Sequence, residues 1–104
     1  MKSLKYSGKP RNNILIVRRV TGKSMLPTLK PGRIVLAIGI FRQLKLENIV
    51  VVRHQGIEKI KRVQDVKSDQ VFLVGDNHRA SLDSRSFGWL PMDSVVAKVI
   101  WPLF

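Results

Sequence analysis

The chain is predicted to be all-β: a small domain of coiled antiparallel sheets, or a partly open barrel. Three observations predict this. The apolar residues come in short runs rich in Val and Ile, with no sustained helical period. Turn-forming residues separate the runs. With 104 residues, 44% hydrophobic and 25% charged, the chain can bury one modest core, and its composition is ordinary for a folded domain.

The elements follow in order. Residues 1–13 are basic and polar, without an apolar core, and are read as a flexible arm before a domain spanning 14–104. The first strand is expected over 14–20. Next comes Gly22-Lys23-Ser24-Met25-Leu26-Pro27-Thr28-Leu29, followed by Pro31-Gly32. Pro27 keeps its neighbours out of helix, so Ser24 stands on a turn between two strands. Strands are then expected over 34–40, 49–53 and 57–63, the last two joined by Gln55-Gly56 as a hairpin. On the strand 57–63 side chains alternate, so Lys59, Lys61 and Val63 share one face and Glu58, Ile60 and Arg62 the other. Ser68-Asp69 turns the chain into a strand over 70–74. Gly75-Asp76-Asn77 and Ser81-Leu82-Asp83-Ser84-Arg85-Ser86-Phe87-Gly88 form a polar connection of the kind that builds sites, with Asp83 and Arg85 spaced to pair. A final strand is expected over 94–101.

Composition excludes several chemistries. The chain has no cysteine, so it holds no disulfide, thiolate metal site or thiol nucleophile. His54 and His78 are too few for a zinc cluster without cysteine, and no metal or other cofactor is expected. The longest apolar run, residues 34–41, is far shorter than the roughly 20 residues a membrane-spanning helix needs. The expectation is a cytoplasmic chain, peripheral to a membrane at most.

Charge is the unusual bulk property. Nineteen basic against seven acidic residues give +12, and residues 1–46 contain no Asp or Glu at all. So one-sided a field suits a polyanion such as nucleic acid, an anionic membrane surface or an acidic polypeptide. A nucleic-acid-binding barrel would interleave exposed aromatics with its basic residues. Here the basic half offers only Tyr6 and Phe41, which argues against that alternative.

Three segments taken together carry a resemblance. Ser24-Met25-x-Pro27-Thr28-Leu29, then Lys61-Arg62-Val63, then Gly75-Asp76-Asn77 with Ser81-x-Asp83-Ser84-Arg85-x-Phe87-Gly88 resemble, in that order, the signal peptidase I family of serine–lysine peptidases. The resemblance covers roughly residues 20 to 101. It implies an all-β catalytic core, with Ser24 as nucleophile and Lys61 as general base. It further implies that Ser81 orients the lysine amine, that Asp83 and Arg85 form a supporting ion pair, and that Asp76 fixes its turn. Met25 would pack beside the nucleophile at the substrate pocket. Where many members carry a serine that assists the oxyanion, this chain has Gly22.

The implied chemistry is coherent. A serine hydroxyl attacks only once a neighbour removes its proton. A lysine at its ordinary pKa of about 10.4 is only about 0.04% neutral at pH 7. Burial against apolar side chains and a nearby cation, for which Arg62 is the sequence neighbour, would raise that fraction. The implied substrate is a protein with an N-terminal leader. The missing family anchor and large insertions favour, on localisation, a cytoplasmic relative that resembles the maturation proteases trimming the leader of nickel-type superoxide dismutase. The alternative within the family is a signal peptidase I acting at the membrane with an anchor supplied by a partner. Self-cleaving repressors, which also use Ser and Lys, need a cleavage pair upstream, and residues 1–23 contain neither Ala-Gly nor Cys-Gly.

Overall fold

The computed structural model describes residues 3–5, 15–41 and 43–102. Nine strands form two antiparallel sheets among them: β1 (Ser3–Lys5), β2 (Leu15–Arg19), β3 (Ile34–Ile38), β4 (Gln43–Lys45), β5 (Ile49–His54), β6 (Ile57–Lys67), β7 (Gln70–Val74), β8 (Leu90–Pro91) and β9 (Val95–Trp101). The larger sheet is open, in the order β2-β3-β9-β5-β6-β7-β8, and β1 pairs with β4 in a separate ribbon. The all-β reading therefore holds. Of the basic arm predicted over 1–13, only residues 3–5 are described, as β1 in register with 43–45; the rest lies outside the described residues.

Turn chemistry sets the two hairpins that build the centre. Gln55 and Gly56 both have positive φ, 52° and 76°, as a two-residue turn matching the right-handed twist of its strands requires. Gly supplies that conformation without a steric cost, which carries the less suited Gln55. The turn fixes the register of β5 on β6, with Val50 opposite Lys61 and Val52 opposite Lys59. Ser68, also at positive φ, turns β6 into β7. The pairing of β6 with β7 shifts register between Val63 and Asp65, a bulge that bends the long strand.

Several elements depart from the sequence expectation. β6 runs on to Lys67 instead of ending at 63, because from Arg62 onward it has β7 as a partner. β1, β4 and β8 are short strands that no local pattern announces. The polar loop contains a one-turn helix α1 (Ser84–Phe87), capped by the Asp83 side chain and ended by Gly88 at φ 86°. A 3-10 turn (Met92–Ser94) precedes β9. Among the described residues no helix is long and apolar enough to cross a membrane.

The core divides into packed clusters on the two sides of the curved sheet. The largest joins Leu44 of β4 to Val50, Val52, Val63, Leu73 and Val95. A second holds Met25 and Leu29 of the long β2–β3 connection against Val20, Val35 and Ile49. Ile60 packs on this second cluster and on a third built from Ile16, Ala37, Val51 and Ala97. Burial predicts the cost of truncation. Leu44 is fully buried whereas Leu15 is 57% exposed. Leu44→Ala should cost about 2–5 kcal/mol in denaturant unfolding, and Leu15→Ala within about 0.5 kcal/mol. Equal losses would contradict this assignment of the core.

Candidate active site

The connection between β2 and β3 carries Ser24. It is long, yet closed at its base, where the Val20 N–H donates to the Arg33 carbonyl and the Gly32 N–H to the Val20 carbonyl, both at 2.8 Å. Met25 and Leu29, each 1% exposed, anchor it in the second cluster. Between them the Leu29 N–H donates to the Met25 carbonyl at 2.9 Å, so the segment turns tightly around Pro27. Ser24, just before the buried Met25, is held on this turn half-buried. Gly22 lies two residues earlier at φ 72°, with open space where a side chain would begin.

Lys61 is only 4% exposed, although nothing in its local sequence requires that. Pairing of β6 with β5 puts it opposite the fully buried Val50, and strand alternation sets it on the face of Val63. Burial pushes its pKa below the ordinary lysine value. The Asp83 carboxylate opposes that shift, and the cations Lys59 and Arg85 reinforce it. Arg62 is not among those causes. Its guanidinium lies on the opposite face and grips Asp76, so the cations acting on Lys61 are Lys59 and Arg85 instead.

A short polar chain fixes the direction of the lysine amine. Lys61 Nζ donates to Ser81 Oγ at 3.0 Å, and Ser81 Oγ in turn donates to Asp83 Oδ2 at 2.5 Å. A hydroxyl has one proton, so Ser81, having given its own to Asp83, can only accept from the lysine. A neutral Lys61 then keeps its lone pair for another partner. Asp83 is fully buried and its position is overdetermined. It accepts from Ser81, from the Arg85 guanidinium, and from the backbone N–H groups of Gly75 and Arg85. Burial alone would raise its pKa; these donors outweigh that and hold the carboxylate well below the usual range.

Two residues in the same loop tie it to the Ser24 turn. The Asn77 N–H donates to the Ser24 carbonyl at 2.8 Å, and its side-chain amide donates to the Lys23 carbonyl at 3.0 Å. Asp76 accepts two hydrogen bonds from Arg62 at 2.8 Å and one from Thr28. Hydrogen bonding to Arg62, then to Thr28, lowers its pKa against the opposing effect of burial. Thr28 belongs to the Ser24 turn and Arg62 follows Lys61 directly, so Asp76 spans the two segments.

Gly75 is where these pieces converge. A Cβ there would lie 2.3 Å from Ser81 Oγ and 2.6 Å from the Ser24 carbonyl oxygen. Only glycine lets this backbone pass between them. Gly75, Asn77 and Thr28 stand inside the motifs, but the sequence alone assigns them no role. The one local signal was glycine directly after a buried strand, which marks a close backbone approach without naming what is approached.

Ser24 and Lys61 both line a cleft of about 380 Å³, with Met25 in its wall. One side is β2, which pairs only with β3; the other is the start of β6, which gains β7 only from Arg62 onward. Both walls therefore offer backbone groups that no described strand takes up. Leu82 and Ile57, 63% and 59% exposed, form apolar lips. Of the residues singled out from the sequence, Ser24, Met25 and Lys61 line this cleft, and Ser81, Asp83 and Arg85 form the hydrogen-bonded chain that starts at the Lys61 amine. Arg62 and Asp76 pair on the other face of β6, and Gly22 follows the cleft residue Thr21. No group of His, Asp and Glu suited to a metal occurs among the described residues.

Residues 55–104 match the family described as signal peptidase, peptidase S26. The matched part contains Lys61, Arg62, Asp76, Ser81, Asp83 and Arg85, while Ser24 lies before it. No curated protein matches the chain. The match covers β6, the polar loop and the closing strand, and this part of the chain, which includes the buried lysine, is similar to the signal peptidase, peptidase S26, family.

Proposed function

We propose that the chain is a serine endopeptidase that uses Ser24 and Lys61 to remove an N-terminal leader from a protein substrate. One observation carries the reading. A lysine amine lies buried at the floor of a cleft that also contains a serine, and its single described hydrogen bond runs away from that cleft to Ser81.

In this reading the substrate enters extended and adds its backbone to the free edges of β2 and β6. Ser24 Oγ attacks the scissile carbonyl as neutral Lys61 takes its proton. The ammonium then gives that proton to the departing amine, leaving an ester on Ser24. A water, deprotonated by the same lysine, hydrolyses the ester and releases the leader. The Ser24 N–H is the first donor to the oxyanion, and the open backbone around Gly22 is the candidate for a second. Ser81, Asp83 and Arg85 position the amine, and Asp76 with Arg62 and Thr28 holds the two segments in register. The leader of nickel-type superoxide dismutase is the substrate to test first, on the resemblance of the motifs. Incubation with that precursor followed by sequencing of the new N-terminus decides it. The basic residues of 1–46 would serve the encounter with substrate or with an anionic membrane.

Ser24→Ala and Lys61→Met should each abolish cleavage, and Lys61→Arg should fail too, because arginine stays charged. Stability separates a functional lysine from a structural one. Its folded pKa lies below the unfolded value, so the unfolded chain binds the proton better, and burial of the charge costs stability at neutral pH. That cost is relieved only as pH rises from the folded pKa towards about 10.4. Lys61→Met should therefore raise Tm at pH 7 while destroying activity. Full activity in Lys61→Met, or a lower Tm, would count against the assignment.

The pH profile should follow the same group. kcat/KM should climb with pH along a limb whose midpoint lies below the ordinary lysine value, because burial lowers the Lys61 pKa. Replacing His54 and His78 together should leave the limb unchanged. A limb that vanishes in that variant would point to histidine.

Gly75→Ala tests the close approach. Because its Cβ has no room beside Ser81 and the Ser24 carbonyl, activity should fall at least about ten-fold and unfolding should move to lower denaturant. Wild-type kcat in that variant would show that the two segments need not be so close.

A further inference from the structure

The cleft beside Ser24 and Lys61 carries more positive charge than peptide hydrolysis requires. Arg18 and Arg19 of β2 line one wall and Lys59 of β6 the other. Glu58 is the single acidic residue lining the cleft among those described, and it is already engaged. Arg18 pairs with it across the cleft, and Arg53 approaches it at 3.4 Å. Arg19 and Lys59 are left without an ion pair among the described residues. Arg19 donates to the Gly32 carbonyl at 3.1 Å, and Lys59 stands 5.5 Å from the centre of the Phe87 ring. Neither contact neutralises a charge.

Position gives these cations a meaning for the substrate. Lys59 precedes Lys61 by two residues on the same face of β6, roughly 6.6 Å along the strand. An extended peptide lying along β6 advances by the same repeat. A side chain two or three residues from the bond held at Ser24 therefore comes level with Lys59. Cleft walls of low dielectric strengthen the attraction of a carboxylate to such a site and the repulsion of a cation from it.

Resting on the peptidase reading above, we propose that the cleft selects acidic segments: an Asp or Glu two or three residues from the scissile bond, held by Lys59 and Arg19. The substrate class is then a leader junction bearing a carboxylate. In return, a peptide with Lys or Arg at that place is a poor substrate.

The experiment is digestion of a proteome-derived peptide library by the full chain, with new termini identified by mass spectrometry. Ser24→Ala and the double variant Lys59→Gln, Arg19→Gln are run alongside. Cuts that depend on Ser24 should be enriched in Asp or Glu at the second or third residue. A matched pair of peptides differing by Asp against Asn there should differ about five-fold in kcat/KM. That ratio should shrink towards one in the double variant and, for the unaltered chain, in about 0.5 M salt. Ser24-dependent cuts without acidic enrichment, or a ratio indifferent to both salt and the variant, would overturn the charge selection and leave the peptidase standing. No Ser24-dependent cut at all would overturn the peptidase reading and the selection with it.

Discussion

A lysine amine held out of water is the constraint around which the rest of this molecule is organised. Charged, such a group is costly to bury; neutral, it is a base. The protein lowers the amine's proton affinity by burial, with Lys59 and Arg85 adding to the effect, and Asp83 opposes it. Asp83 does not simply cancel the burial, because its charge is shared among Arg85, Ser81 and two backbone N–H groups. Its link to the lysine passes through the Ser81 hydroxyl, which orients the amine without giving it a direct carboxylate partner. The same residues that stabilise the loop thus set the direction and the basicity of the amine.

The second requirement is that two segments far apart in the chain meet at fixed separation. A turn after the edge strand β2 carries Ser24, while Lys61 sits near the middle of the sheet. Loops are mobile by default, so the connection must be made rigid by other means. Buried Met25 and Leu29 anchor it below, and Asn77 and Asp76 hold it from the side. Gly75 lets that side support come close enough. Site precision here comes from crossing hydrogen bonds between loops, each of which is itself braced against the sheet.

Charge on the outside of this frame serves a different purpose from charge within it. The buried and half-buried ions are paired: Asp83 with Arg85, Asp76 with Arg62. Along the cleft, by contrast, cations outnumber carboxylates and two of them stay unpaired among the described residues. Inner pairs fix geometry, whereas the outer excess acts on whatever enters.

The sequence by itself determined the all-β class, the hairpin at Gln55-Gly56 and the turn at Ser68, because these depend on the short-range rules of alternation and positive φ. Ser24, Lys61 and the polar loop stood out through the resemblance of three ordered motifs to the signal peptidase I family, since strand and turn chemistry alone leaves a turn serine and a strand lysine. Three things only the tertiary structure decided. Lys61 is buried because Val50 lies across from it and Ser81 above it, neither of which a strand pattern can specify. Alternation already set Arg62 on the other face, but only the packed loops decided that it grips Asp76 and that Lys59 and Arg85 are the cations acting on Lys61. The contacts of Gly75, Asn77 and Thr28 span up to 54 residues, between Lys23 and Asn77, and no local propensity encodes a contact at that range; packing of the whole sheet supplies it.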